Sequence, residues 1–282
     1  MQRQHLTINV SGKDRSGVIA GFTSHIFENK GNIEQLVEQV QRNYFQMTLL
    51  SSFPQEHFHR EKLESGLHGL GKKLGMDVRL RFSAPHKKAR LALFVTKEPL
   101  CPDTIMAAIK SGSLKCQPVI MVSNHKEMEA MASRYKLPFL HADFSDHPAA
   151  ETKILKALDE LDVDFIVLAR FMKILSPRFC WNFPSRIINI HPSLLPAFPG
   201  AGAYRQAHDA GVKVVGVTSH FVTADLDRGP VICQDVIRLK PNEPLPSIIS
   251  RGQKLEAKTL LKAVKLFLSK KLDVHWGKVF QV

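Results

Sequence analysis

The sequence predicts an α/β protein built in two successive parts. Residues 6–82 predict strand, helix, strand, strand, helix, strand, an order that forms a small antiparallel sheet with both helices on one face. After residue 89, short apolar runs alternate with helical stretches, which indicates a parallel sheet covered on both faces. A polar linker, "SAPHKKA", separates the two patterns. We therefore expect a first domain over residues 1–84 and a second over 85–282.

The elements of the first part follow from their side-chain patterns. "HLTINV" and "DVRLRF" alternate apolar and polar residues, as half-buried strands do. "IEQLVEQVQ" and "YFQMTLLSSF" predict two more strands, joined at Arg42 and Asn43. One helix is expected from about Ser16 to Gly31, and the second is "EHFHREKLESGLHGLGKKLG".

The second part contains five short apolar strands, namely "RLALFVT", "CQPVIMVS", "LPFLHA", "DFIVLA" and "RIINI". Helical stretches separate them, including "DTIMAAIKSG", "KEMEAMASRYK" and "PAAETKILKALDELD". Ligands of parallel sheets bind beyond the carboxyl ends of the strands. Asn189 and His191 lie at one such end, directly before a loop rich in proline and glycine.

The formal net charge is +13, which raises the question of an anionic partner. Lys254, Lys258, Lys262 and Lys265 recur at helical spacing, opposite an apolar stripe. This pattern favours the solvated face of a C-terminal helix over a ligand-binding surface. Since no aromatic residues interleave with these lysines, we expect no nucleic acid partner.

Several classes of protein are disfavoured. No apolar run approaches the roughly 18 residues that cross a membrane, and the N-terminus lacks the apolar segment of a signal peptide. The four cysteines are scattered without a C-x-x-C pair, which fits a reducing cytoplasm. We therefore expect a cytoplasmic protein.

An amide, an imidazole and a carboxylate could surround one carbonyl carbon. Asn189 and His191 would stabilise an oxyanion, and one of Asp225 and Asp227 would move a proton. Taken separately, each residue also suits an ordinary turn or capping role. A metal site would need His208 or His220 to come close, and we expect no metal. There is no G-x-S-x-G for a serine hydrolase.

A long stretch carries a family resemblance: "INIHPSLLPAFPGAGAYRQAHDAGVKVVGVTSHFVTADLDRGPVICQDV". It closely resembles the folate-dependent formyltransferase and hydrolase family, as does the upstream "DFIVLARFMKILSPRF". Near the N-terminus, "GKDRSGVIAGFTSHIFENKGNIEQ" resembles an ACT domain, a module that often binds amino acids. The resemblance implies an ACT-like (ferredoxin-like) domain followed by a mostly parallel, Rossmann-like formyltransferase domain.

The resemblance also assigns residues. By position, the catalytic asparagine, histidine and aspartate of the family fall on Asn189, His191 and Asp227. The folate pocket falls on Phe171, Met172, Ile174, Leu175, Val222, Thr223, Asp225 and Gly229. The candidate amino-acid effector site of the ACT-like domain comprises Asp14, Ser16, Asn32 and Ile33. There a helix N-terminus would receive the carboxylate, unless Asp14 or Ser16 merely caps the helix.

The implied activity is hydrolysis of 10-formyltetrahydrofolate to tetrahydrofolate and formate. Transfer of the formyl group to an amine is the alternative, since Pro192 and Leu194 in "HPSLLPAFPG" are nearer to the transferases than to the "HHSFLPAF" of the hydrolases. Two features favour water over an amine as the acceptor of the formyl group. "FVTKEPLCPD" lacks the glycine-rich phosphate loop of glycinamide ribonucleotide transferases, and the extra domain precedes the catalytic one. A catalytically inactive folate or amino-acid sensor is a third interpretation.

The expected chemistry uses neither a metal nor a redox cofactor, because the folate substrate itself carries the formyl group. Hydrolysis would feed one-carbon metabolism and purine synthesis. Besides the folate, the expected partners are an amino-acid effector and further copies of this chain in a homo-oligomer. No membrane partner is expected.

Overall fold

The computed structural model describes residues 3–41, 43–83, 88–275 and 277–281. The chain divides into two compact units, residues 1–87 and 88–282. The domain boundary expected between residues 84 and 85 lies outside the described residues.

Within the described residues, the first unit has the predicted strand–helix–strand–strand–helix–strand order. Its elements are β1 (Arg3–Lys13), α1 (Val18–Glu28), β2 (Asn32–Gln41), β3 (Tyr44–Pro54), α2 (Arg60–Leu74) and β4 (Met76–Ser83). The strands form an antiparallel sheet in the order β2-β3-β1-β4. The second helix begins later than expected, because Gln55–His57 form a separate 3-10 turn and the chain is extended at Phe58.

The helices of the first unit cover one face of its sheet. Ile8 of β1 is fully buried, as are Phe22 of α1 and Leu67 of α2, and all three belong to one apolar core. Burial of each such side chain contributes about 1.5–3 kcal/mol. This explains why β1 needs apolar residues at alternate positions.

The second unit continues the chain to its end. Its strands are β5 (Ala89–Val95), β6 (Cys116–Ser123), β7 (Phe139–His141), β8 (Phe165–Ala169), β9 (Ile187–His191), β10 (Val214–Phe221), β11 (Val231–Arg238), β12 (Leu272–His275) and β13 (Lys278–Gln281). Its helices are α3 (Leu100–Lys110), α4 (Glu129–Arg134), α5 (His147–Glu160), α6 (Pro177–Trp181), α7 (Ala203–Asp209) and α8 (Leu245–Leu268).

The mostly parallel sheet is confirmed. Within the described residues its order is β11-β10-β9-β8-β5-β6-β7. Strands β5 to β9 run parallel to one another, β10 runs antiparallel to β9, and β11 runs antiparallel to β10. In β5, Leu93 packs toward the core beneath α3 and α8, whereas Phe94 packs toward α5 and α6. Because both faces are covered, the strand is apolar without alternation.

The lysine pattern near the C-terminus is confirmed as the solvated face of a helix. Lys254, Lys258, Lys262 and Lys265 of α8 lie on its outer side, and Leu260 and Val264 are buried. In the part of the chain that the structure describes, no helix is long and apolar enough to cross a membrane.

Candidate active site

The pairing of β9 with β10 gathers the polar residues of the site. Asn189 and His191 are two residues apart on β9, so their side chains lie on one face of the strand. On the antiparallel neighbour, His220 is the register partner of Asn189. The two-residue spacing in the sequence therefore places an amide and an imidazole side by side near the carboxyl end of β9.

The loop between β10 and β11 brings Asp227 to the same place. The backbone N–H of Phe221 donates to the carbonyl of Pro230 (2.9 Å), which closes the loop at its base. Gly229 is required there, because a Cβ atom would lie 1.7 Å from the Phe221 carbonyl oxygen. Asp227 itself has a left-handed backbone (φ 54°), a strained state that is common at functional sites.

His191 is buried and both of its ring nitrogens face acceptors. Nε2 lies 3.1 Å from the Phe198 carbonyl oxygen, and Nδ1 lies 3.3 Å from Oδ2 of Asp227. A neutral imidazole has only one N–H, so it can satisfy only one of these partners. Of the two contacts, the one with Phe198 has hydrogen-bond geometry, and the Asp227 carboxylate is a close charged neighbour of the ring.

The carboxylate of Asp227 is held on one side and open on the other. Its Oδ2 also accepts a hydrogen bond from the backbone N–H of Gly200 (3.1 Å). Its Oδ1 lies 3.8 Å from Nε2 of His220, beyond hydrogen-bond distance. Oδ1 is thus the oxygen that remains available to a water molecule.

His220 fixes the orientation of Asn189. Burial lowers the pKa of His220, so the ring is neutral at physiological pH. Its Nδ1 donates to the Phe221 carbonyl (2.9 Å), which leaves Nε2 to accept from Nδ2 of Asn189 (3.2 Å). Asn189 keeps its second N–H for a ligand.

These residues line a cavity of about 470 Å³. Seven of the eight positions assigned to the folate pocket also line it: Phe171, Met172, Ile174, Leu175, Val222, Thr223 and Asp225. Met172 and Ile174 are 65% and 61% exposed, which is unusual for apolar side chains and suits contact with a flat aromatic ligand. Gly229 does not line the cavity, and it acts through the loop closure described above.

Two side chains of α5 fix the segment that carries Met172 and Ile174. Glu151, which is buried, accepts from the backbone N–H of Ser176 (2.6 Å) and from its hydroxyl. Nε2 of His147 is 2.7 Å from the Ile174 carbonyl. Met172 and Ile174 therefore lie on a segment, residues 171–175, that side chains of α5 hold in place.

A second polar group lines the same cavity. Glu256 of α8 is fully buried, and its Oε1 accepts from the hydroxyl of Tyr204 (2.8 Å). Its Oε2 lies 3.5 Å from Nε of Arg170. Burial raises the pKa of Glu256, and the positive charge of Arg170 lowers it. Gly252 makes room for the ring, since a Cβ there would lie 2.3 Å from the Tyr204 hydroxyl oxygen.

Known proteins match both units. An ACT domain family model matches residues 4–81, and a formyl transferase family model matches residues 89–264. The formyltetrahydrofolate deformylase of Synechocystis sp. is 35% identical over 98% of this chain and 97% of its own length. The chain belongs to the formyltetrahydrofolate deformylase family.

Solved structures separate the deformylases from the transformylases. The match with the deformylase of Pseudomonas syringae pv. tomato (TM-score 0.67, 28% identity) spans 99% of this chain and 94% of that protein's chain. The match with glycinamide ribonucleotide transformylase 1 of Symbiobacterium toebii (TM-score 0.66, 30% identity) spans 94% of that protein's chain but only 69% of this one. The deformylase likeness therefore extends over the whole chain, and the transformylase likeness does not.

The deformylase-family site contains residues that sequence reasoning missed. Asn189, His191 and Asp227 come together as expected, but the sequence indicates His220 only as a possible metal ligand, and it does not indicate Arg170, Tyr204 or Glu256. A signal existed for His220, because it lies in the apolar run "VGVTSHFV", within the same long motif that carries Asn189. Glu256 gave no signal, since a glutamate among lysines on a helix normally faces solvent.

The assigned effector residues do not form one site within a single deformylase chain. Asp14 and Ser16 follow β1, whereas Asn32 and Ile33 begin β2, which runs parallel to β1. The C-terminal end of β1 and the N-terminal end of β2 pair with positions of β3 that are eight residues apart, which is roughly 26 Å at 3.3 Å per residue. The helix cap is Gly17, without a side-chain hydrogen bond, so capping by Asp14 or Ser16 is also not observed.

Proposed function

We propose that this chain hydrolyses 10-formyltetrahydrofolate to tetrahydrofolate and formate, and so serves one-carbon metabolism and purine synthesis. The observation that carries the proposal is the cluster of Asn189, His191, His220 and Asp227 inside the cavity. It sets an amide donor, an imidazole and a carboxylate oxygen around one point, as formyl hydrolysis requires.

Water is activated at Asp227. Its Oδ1 accepts a hydrogen bond from the attacking water, while Oδ2 stays fixed by Gly200 and His191. As the water oxygen bonds to the formyl carbon, one proton passes to the carboxylate. Restricting the carboxylate from one side prevents it from rotating away from this position.

The oxyanion that forms is stabilised by Asn189 and His191. The free N–H of Asn189 donates to it, because His220 holds the amide in place. His191, when protonated, supplies positive charge at close range. A direct bond from the imidazolium to the oxyanion requires the ring to exchange its contact with the Phe198 carbonyl. A prepositioned donor of this type contributes about 2.7–4 kcal/mol to the transition state.

The tetrahedral intermediate collapses when the bond between the formyl carbon and N10 of the folate breaks. The proton taken up by Asp227 is delivered to that nitrogen, so that tetrahydrofolate and formic acid leave, and the acid loses its proton to water to become formate. Every proton in this sequence comes from water. The steps use the chain's own groups, so we propose that no metal or redox cofactor takes part.

The start of α3 favours water over an acceptor that carries a phosphate. Helix N-termini bind phosphate through their free N–H groups. Here the carboxylate of Glu98 accepts from the backbone N–H of Leu100 (3.0 Å), so a negative charge already occupies this position. A phosphorylated amine would be repelled from the place where parallel sheets commonly bind phosphate.

The folate itself is proposed to lie along the segment from Phe171 to Leu175, which α5 holds in place, and along the loop from Val222 to Asp225. Apolar contact with Met172 and Ile174 would hold the pterin. The net charge of +13 favours a polyanionic folate with glutamate residues through long-range attraction.

We propose that the ACT domain binds an amino-acid effector between two copies of the chain. β2 is an edge strand with exposed apolar side chains at Ile33, Val37 and Val40, which suits pairing with another copy. Antiparallel pairing along β2 would bring Asn32 of one copy to the sheet end that carries Asp14 in the other. A homo-oligomer would thus assemble the effector residues that one chain keeps apart.

A reducing cytoplasm is the proposed compartment. The four cysteines are free thiols. Burial raises the pKa of Cys101, Cys116 and Cys180 to about 12, and that of Cys233 to about 11. Such thiols stay protonated, as expected of structural cysteines.

Formate release tests the function. Purified protein incubated with 10-formyltetrahydrofolate should release formate at the same rate with and without glycinamide ribonucleotide. The reason is that the amine is not a reactant. Formate release that depends on the amine, with the formyl group recovered on it, would identify a transferase. Folate binding without turnover would identify a sensor.

A further inference from the structure

Arg170 has a backbone conformation that its residue type does not explain. It follows the last residue of β8 with φ 61°, the left-handed region that favours glycine. Leu168 pairs with Asn189 in the parallel register, and Arg170 and His191 each lie two residues further along. The arginine is therefore placed beside the reacting centre at a position where glycine would be unstrained.

Its guanidinium and the carboxylate of Glu256 are only partly satisfied by each other. Nε lies 3.5 Å from Oε2, which is an ion pair but a long hydrogen bond. Within the described residues, Nη1 of Arg170 and Oε2 of Glu256 are buried and have no hydrogen-bond partner. A pair kept only for stability would be expected to meet with better geometry.

A buried carboxylate in a cavity is a natural site for a cation. Oε2 of Glu256 can accept from an ammonium group, and Tyr204 holds Oε1 so that the carboxylate stays oriented. Burial favours the protonated carboxyl group, so Glu256 could also take a proton from an ammonium and leave a nucleophilic amine. In this chain the guanidinium of Arg170 is the cation that occupies the site.

We propose that Arg170 determines acceptor specificity: its guanidinium fills the amine site beside Glu256, so that water attacks the formyl carbon. The inference rests on the proposed hydrolysis. Without the arginine, a primary amine would bind at Glu256 and attack the formyl carbon. The bond to N10 of the folate would then break, the amine proton would pass to N10, and a formylated amine and tetrahydrofolate would form.

The test compares products in Arg170→Gly and wild type, each supplied with 10-formyltetrahydrofolate and glycinamide. Glycine fits the backbone at this position, so the variant should fold. We expect the ratio of formylglycinamide to formate to rise about tenfold or more, the effect of one hydrogen bond to a charged group. A merely structural arginine would change the total rate without changing this ratio.

Two further variants identify the group responsible. Arg170→Lys keeps a cation in the site and should remain hydrolytic. Arg170→Gly combined with Glu256→Gln removes the carboxylate, and the gain in amine transfer should disappear. Arg170→Asn repeats the neutral substitution with a residue that tolerates left-handed backbone, in case the glycine variant is unstable.

The outcomes separate the inference from the function on which it rests. Wild-type protein that releases no formate contradicts the proposed hydrolysis itself. Wild type that releases formate, together with folded Arg170→Gly and Arg170→Asn variants that show no rise in the product ratio, overturns the role of Arg170 alone.

Discussion

Replacing Asp227 with asparagine is expected to lower kcat for formate release by about 10²–10⁴-fold, the range typical of general acid–base groups. The amide would keep the shape of the side chain, but it has neither the proton acceptor at Oδ1 nor the charge that pairs with Nδ1 of His191. The dissociation constant for the folate should change little, because the apolar contacts at Met172 and Ile174 remain. Single-turnover formate release and folate titration measure the two quantities.

Asp225→Asn is the matched comparison for this prediction. It makes the same chemical change two residues away, at an exposed side chain that lines the cavity without contacting His191. We expect it to raise KM more than it lowers kcat. If Asp225→Asn proves the more damaging change while Asp227→Asn keeps near-normal turnover, the carboxylate has been assigned to the wrong residue.

Asn189→Ala is expected to lower kcat by about 10²–10³-fold, as the loss of an oxyanion donor does. The alanine removes the N–H that points at the developing charge, and it leaves Nε2 of His220 without its partner. Thermal unfolding of the variant checks that the loss of activity is not a loss of fold. A decrease of less than tenfold in a folded variant would exclude Asn189 as the main donor.

The two substitutions should not combine independently. Asn189 and Asp227 act on the same transition state, so the double variant should lose much less activity than the product of the two single losses. Strict multiplicativity would indicate that the residues contribute to separate steps.

Most strands could be predicted, because their apolar residues either alternate with polar ones or form short continuous runs. β6 has the predicted bounds, Cys116–Ser123, since a continuous apolar run in a parallel sheet ends where burial ends. α7 escaped prediction because it begins at Ala203, directly after a loop rich in proline and glycine, where composition argues against a helix. The β12–β13 hairpin is too short and too exposed to give a pattern.

Only a part of the candidate site could likewise be predicted from the sequence. Asn189, His191 and Asp227 could be named because a long motif carries them. Their roles depend on partners that are distant in sequence, such as Gly200 for Asp227 and Phe198 for His191. Arg170 and Glu256 lie 86 positions apart and meet only through the packing of α8 beside β8 and β9. No local pattern could have indicated that contact.

Hydrolysis in water enriched in heavy oxygen tests the central claim most directly, because only one mechanism transfers a solvent oxygen to the product. If Asp227 directs water to the formyl carbon, each formate released should carry one labelled oxygen atom, and mass spectrometry of the formate would show it. Formate without the label, or a formyl group recovered on an amine in place of formate, would contradict the account.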